Sequence, residues 1–454
     1  MAPHRPVFAR SVWGEASLSG RDGSNIMERA QAEQILQQAL SYQQADHLQL
    51  SLHGEIDANT RFANNTITQN TAQKDTALSV TAAFGQQVGH ASTNRLNQDT
   101  LREVVKRAEQ IAQSTALDTE YLPPVGPQSY LDVDAYDHVT AEVTPQARAE
   151  MIQKAIQKCE VQGLNLAGHF STGWRFSAIA NSNGVMAYYR QSSVSYTNTV
   201  MSPTSSGWAE AVSERLEQIQ PLEAVDIACH KAKTSQSPRD VEPGQYTVIL
   251  EPSAVSGIFG PLFYSLEAKA ADEGRSAFSN KEGEQIGTSA VNLYSQPDHT
   301  GCPTRPFFGN GLPADQVYWL KSGKLENLSY SRYWASQTGH VHTGSPTNMV
   351  MLGDDNTLQQ MIDSVEQGLL VTRFWYIRFV DPMKLLMTGM TRDGLFWIEN
   401  GQICYGVKNL RFNESPLHVL ANIEMMGRPR RTGGSAYVPP LKVRNFTFTS
   451  GTSF

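Results

Sequence analysis

The sequence predicts an α+β protein built as an N-terminal α/β unit, a middle α+β domain and a large β-rich C-terminal domain with a central helix. Three patterns carry this reading. Short alternating apolar runs recur along the chain, as half-buried strands require. Apolar residues at helical spacing are confined to a few segments, and Gly and Asn turns crowd the C-terminal half.

In chain order, residues 1–26 hold Arg5, Arg10 and Arg21 without an apolar central run, so they read as a leader outside the fold rather than a secretory signal. Met27 opens a helix to about Ser41. Leu48, Leu50 and Leu52 alternate with polar residues and predict a strand, followed by another over Thr76 to Phe84. Leu101, Val104, Val105, Ala108 and Ile111 form one helical stripe, which completes the N-terminal unit, 27–122. A proline-rich linker spans 123–143.

The middle domain, 144–238, opens at Thr144-Pro145, an N-cap residue followed by proline at the first helical position, and its helix runs to Gly163. Strands at Arg175 to Ala180 and Met186 to Thr199 flank the turn Asn181-Ser182-Asn183-Gly184. A helix bearing Val225, Ala228, Cys229 and Ala232 leads to a boundary near Pro238. The C-terminal domain, 244–454, begins with the strand Tyr246 to Leu250 and the helix Ser253 to Ala271. Further helix is expected at Leu358 to Leu369, and a last strand at Lys442 to Phe448. No internal repeat is visible.

The formal charge of -7 excludes the basic face of a general nucleic-acid scaffold. No window approaches the roughly eighteen apolar residues of a membrane span. Arg428, Arg430 and Arg431 read as a solvated loop. Cys159, Cys229, Cys302 and Cys404 lie too far apart in sequence for a paired zinc pattern or a disulfide framework, and a reducing cytoplasm fits them.

Several anchors, from about Leu48 to the end, together resemble the TldD/PmbA family, a two-subunit peptidase system also labelled as modulators of DNA gyrase. These are Arg61-Phe62-Ala63-Asn64-Asn65, the Glu251-Pro252 approach to the central helix, the loop of Gly339, Thr343, Gly344 and Asn348, Asp381-Pro382, and Ile398-Glu399-Asn400-Gly401. The resemblance implies a zincin-like His-Glu-x-x-x-His motif on the central helix, where two imidazoles ligate one metal and the Glu polarises its water. Aligned on Glu251-Pro252, those positions hold Gly260, Pro261 and Ser265, and none of the eleven histidines is followed by Glu. The third ligand implied by the family, a cysteine, falls at about Arg431.

The expectation is therefore a TldE/PmbA-like subunit with no catalytic residue and no metal site of its own. It would pair with a TldD-like subunit that brings the zinc, acting on extended or unfolded peptides in the cytoplasm without nucleic acid or membrane. Two alternatives stand beside it. One is a homodimeric peptide-binding protein. The other rebuilds a metal or nucleophile site from His299, Cys302, His340 and His342, since Asp298-His299-Thr300-Gly301-Cys302 groups an acid, an imidazole and a thiol. Gly260-Pro261 is expected to kink or interrupt the central helix, because proline removes a backbone hydrogen bond at a cost of about 3 kcal/mol. Gly309-Asn310-Gly311 and Gly433-Gly434 read as turns.

Overall fold

The structure, a computed structural model, describes residues 26–452. The expected leader lies outside the described residues except for Ile26, which is buried in the N-terminal core.

The first half runs α1 (Arg29–Leu40), β1 (His47–Ala63), β2 (Thr66–Phe84), β3 (Gln87–Thr93) and α2 (Gln98–Ser114). After α3 (His138–Ala141) it continues as α4 (Pro145–Glu160), β4 (Asn165–Asn181), β5 (Met186–Met201), β6 (Ser206–Ser213) and α5 (Pro221–Thr234). The expected Thr144 cap forms, its side chain accepting from the backbone N–H of Ala147, and Asn97 caps α2 in the same way by accepting from Thr100. The strands of the first two expected units lie in one antiparallel sheet, ordered β3-β2-β1-β4-β5-β6 and joined where Leu50 pairs with Ala180.

The sheet carries a helix-strand-strand-strand-helix repeat that no sequence pattern announces. Gly89 on β3 and Gly207 on β6 occupy equivalent places. A Cβ at either would lie 2.2 Å from a helix carbonyl, that of Ala108 on α2 or Ala228 on α5, so only glycine lets strand and helix approach this closely. The 123–143 linker is largely irregular but packed. Val125, Tyr130, Val133 and Ala135 join a small core with Val185 and Phe307, and the Asn181 and Asn183 amides donate to the carbonyls of Val125 and Pro124.

The second half contains β7 (Gly244–Leu250), α6 (Pro252–Tyr264), α7 (Ala268–Asp272), β8 (Leu293–Ser295), β9 (Val317–Lys321), β10 (Lys324–Leu325), α8 (Arg332–Thr338) and β11 (Met349–Met351). It continues with α9 (Leu358–Asp363), β12 (Gln367–Asp381), β13 (Leu386–Glu399), β14 (Gln402–Gly406), β15 (Leu410–Glu414), α10 (Pro416–Ala421), β16 (Ile423–Met426), β17 (Arg430–Thr432), β18 (Ala436–Val438) and β19 (Leu441–Gly451). Pairing runs β12-β7-β19-β15-β13, and β13 pairs back with β12, which closes a ring of five strands. A second sheet is ordered β10-β9-β8-β11-β18-β17. α6 packs on β12 and also reaches β17 and β18, so it sits between the ring and the second sheet.

Two helix expectations need correction. The segment expected as a helix over Leu358 to Leu369 belongs to two elements: α9 ends at Asp363, and Leu369 lies in β12, paired with Val248. The segment expected as one helix over Ser253 to Ala271 is α6, a break at 265–267, and the short α7. The last strand shows why its alternation is imperfect. Its register shifts between Val443 and Phe446, with Asn445 at φ 56°.

Candidate functional site

α6 forms because one of its faces is wholly apolar. Ala254, Val255, Ile258, Phe259 and Leu262 are fully buried in the C-terminal core. Its opposite side, Ser256, Gly257, Gly260, Phe263 and Tyr264, lines a cleft of about 920 Å3. Phe308, Asn310, Arg332, His342, the 344–349 loop and Gly433-Gly434 form the other walls. Gly344 lies at φ 66°, and a Cβ there would sit 2.2 Å from the Phe308 ring, so glycine is needed to seat that ring in the wall.

Of the three positions where the resemblance puts zinc chemistry, only Gly260 lines the cleft, and a Cβ there would meet nothing within 4 Å. Pro261 is half-buried inside α6. The helix ends three residues beyond it, at Tyr264, with Ser265 as the C-cap. Arg431 is not in a solvated loop. It lies on β17, where its guanidinium donates at 2.8 Å to the buried carboxylate of Glu214 and at 2.6 Å to Cys302 Sγ. Its side chain is 15% exposed, and Arg428 alone of the expected cluster has an exposed ion pair, to Asp355.

The rebuilt-site residues fall into two separate settings. Cys302 is fully buried, and that burial pushes its thiol up to about 12 despite the adjacent Arg431, so it is poorly suited to act as a thiolate nucleophile. His299 packs against Tyr437, its ring centroid 4.9 Å away, and burial lowers its pKa. His340 stacks on Tyr330 at 4.3 Å, whereas His342 meets Phe308 edge-on at 5.3 Å. Among the described residues, no three His, Cys, Asp or Glu side chains come together as a metal-binding group. The fold does unite two cysteines: Cys159 on α4 and Cys229 on α5 sit with their sulfurs 3.6 Å apart, a proximity that their separation in sequence hides.

The cleft's back wall is tied to the first sheet through one face of β6. Ser206 donates to Asp393, which pairs with Arg373; Arg373 in turn lies over the Trp208 ring at 4.7 Å. Glu210 accepts from Ser253 Oγ at the start of α6 and from the Gly433 N–H. Just beyond the strand, Glu214 takes Arg431. Burial raises the Glu210 carboxyl pKa against the opposing effect of its two donors and the nearby Arg373 and Arg431. Sequence reading missed this strip, whose only local signal is the alternation of Ser206, Trp208 and Glu210.

Three family models match the chain in succession: PmbA/TldA metallopeptidase domain 1 over residues 49–112, the central domain over 139–236 and the C-terminal domain over 243–450. The chain belongs to the PmbA/TldD family. The metalloprotease PmbA of Escherichia coli O157:H7 is 24% identical over 392 residues, which is 81% of this chain and 86% of that protein. TldE from Thermococcus kodakarensis superposes with a TM-score of 0.85 at 15% identity, covering 92% of this chain and 99% of that one. A candidate DNA gyrase modulator from Thermotoga maritima gives 0.84 at 17% identity, with 92% and 100% covered. At such identities, the two structures speak for the fold.

The family implies zinc, and the donor set of this cleft does not fit it. Zinc takes about four nitrogen, sulfur or carboxylate ligands. The cleft offers one imidazole, His342, and one carboxylate, Glu267, fewer than zinc takes. Where the resemblance puts the three zinc ligands stand Gly260, Ser265 and about Arg431, with Pro261 where it puts the general base.

Proposed function

We propose that this chain is the zinc-free, TldE/PmbA-like subunit of a TldD/TldE-type metallopeptidase, acting with a TldD-like subunit that carries the His-Glu-x-x-x-His site. The observation that carries this reading is a cleft of about 920 Å3 against α6, the helix on which the resemblance expects the zinc motif, with Gly260 lining it and Arg431 held in an ion pair with Glu214. A cleft without a set of metal ligands is what a subunit that holds substrate and leaves bond cleavage to its partner would present.

Extended or unfolded peptides are the proposed substrate class, and the cytoplasm the proposed location. No described helix is long and apolar enough to cross a membrane. A subunit contact is supported by Trp375, Tyr376, Phe379, Val380 and Met383, large apolar side chains left exposed around the end of the β12–β13 hairpin.

The test is reconstitution. This chain and a His-Glu-x-x-x-His homologue from the same genome are purified separately and mixed with zinc and a quenched-fluorescence peptide. Cleavage at least tenfold faster with both chains than with either alone is expected. Zinc-dependent cleavage by this chain alone, or a homologue indifferent to its addition, would contradict the proposal.

A further inference from the structure

Within the cleft, charge is sparse and uneven. Its lining holds one permanent cation, Arg332, and one carboxylate, Glu267; the rest is mostly glycine, hydroxyl, aromatic and proline side chains. Arg332 makes no ion pair among the described residues, unlike the half-buried Arg373 and Arg431 and the buried Lys231, each of which holds a carboxylate. Its recorded hydrogen bond runs from Nη1 to the carbonyl of Pro123, in the packed linker. A guanidinium offers five N–H donors in a rigid fork, so this contact fixes the side chain and leaves most of its donors for another group.

The neighbours of Arg332 do not neutralise it. Tyr121 and His342 lie close enough to feel its charge, and His342 is held toward its neutral form by burial and by that charge. Ser345, at the lip of the cleft, is exposed, and Phe308 is packed against His342. A single fixed guanidinium in a mainly apolar cleft suits a singly charged, planar oxyanion. A dianionic phosphate would call for a cluster of cations.

We propose that Arg332 binds a carboxylate of the peptide held in the cleft, so that this subunit selects and orients peptides by an acidic group. The proposal rests on the peptide-holding reading above. It assigns to the zinc-free subunit a positive recognition role beyond forming a wall. The carboxylate comes either from the peptide's C-terminus or from an Asp or Glu side chain, and both sources present the same bidentate partner to the guanidinium.

The experiment uses the full chain and three hexapeptides of Ala and Ser, each labelled at the N-terminus with an uncharged dye. The first ends in a free carboxylate, the second in an amide, and the third in an amide with Asp at the last position. Fluorescence anisotropy reads affinity for the wild type, Arg332→Gln and Arg332→Lys, with a thermal melt of each variant as the folding control. The expected result is that the free acid or the Asp peptide binds at least tenfold more tightly than the plain amide, and which one does so names the source. Arg332→Gln should abolish that difference, and Arg332→Lys should keep part of it.

Equal binding of all three peptides would overturn the carboxylate site while leaving a peptide-holding cleft in place. A preference for the acid that survives Arg332→Gln would overturn it as well. If none of the three binds, the carboxylate site and the peptide-holding reading both fail.

Discussion

Arg431, near where the resemblance expects a cysteine ligand, makes a structural ion pair. Its guanidinium and the Glu214 carboxylate are 15% and 8% exposed, so removing one partner strands a charge. Arg431→Met should therefore cost about 3–5 kcal/mol in urea denaturation, whereas the double change Glu214→Gln with Arg431→Met should recover most of that loss. Additive losses in the two single variants would refute the pairing. Glu210 behaves differently, because burial raises its carboxyl pKa in the folded state. The folded protein then binds this proton more tightly than the unfolded chain does. The stability it contributes is complete below the unfolded carboxylate value and is lost as pH rises through the folded value. Glu210→Gln should accordingly raise Tm relative to wild type at about pH 8, and the gap should close toward about pH 4. A gap that widens in acid would contradict the assignment. Neither pair could be read from the chain, since Arg431 meets Glu214 across 217 residues.

At the scale of elements, local chemistry was legible wherever one periodicity belonged to one element. The Thr144-Pro145 start and the Asn400-Gly401 turn appear where their residues put them, and of the α2 stripe Leu101, Val104, Val105 and Ala108 are buried, whereas Ile111 is exposed and Ala112 is buried instead. The reading failed where two elements shared a rhythm, as at α9 and β12, and where a contact was distant, as in the repeat built around Gly89 and Gly207. Gly89→Ala and Gly207→Ala should each destabilise by at least about 1–3 kcal/mol, because the added methyl meets a helix backbone that cannot move aside. If either substitution is neutral in thermal melts, the close approach is wrong. Gly260→Ala should go the other way. Its Cβ meets nothing, so the substitution should stabilise α6 by up to about 1 kcal/mol. A loss of stability there would mean that the α6 backbone is not helical at Gly260.

For the whole molecule, one sheet and one closed strand ring meet along a face of β6, and the cleft is bounded by α6 and loops of the second half. The sequence could announce three segments and a central helix that carries no His-Glu-x-x-x-His motif. It could not announce that the first two segments share a sheet, or that the space beside the helix stays open, because both depend on pairing between distant strands. In the proposed function this chain holds peptide while a different chain holds the metal. Native mass spectrometry of a tagged copy purified from its own host tests this division in one spectrum. A heteromer with a His-Glu-x-x-x-His subunit whose zinc departs with that subunit on dissociation is expected; a homomer of this chain that retains zinc would contradict it.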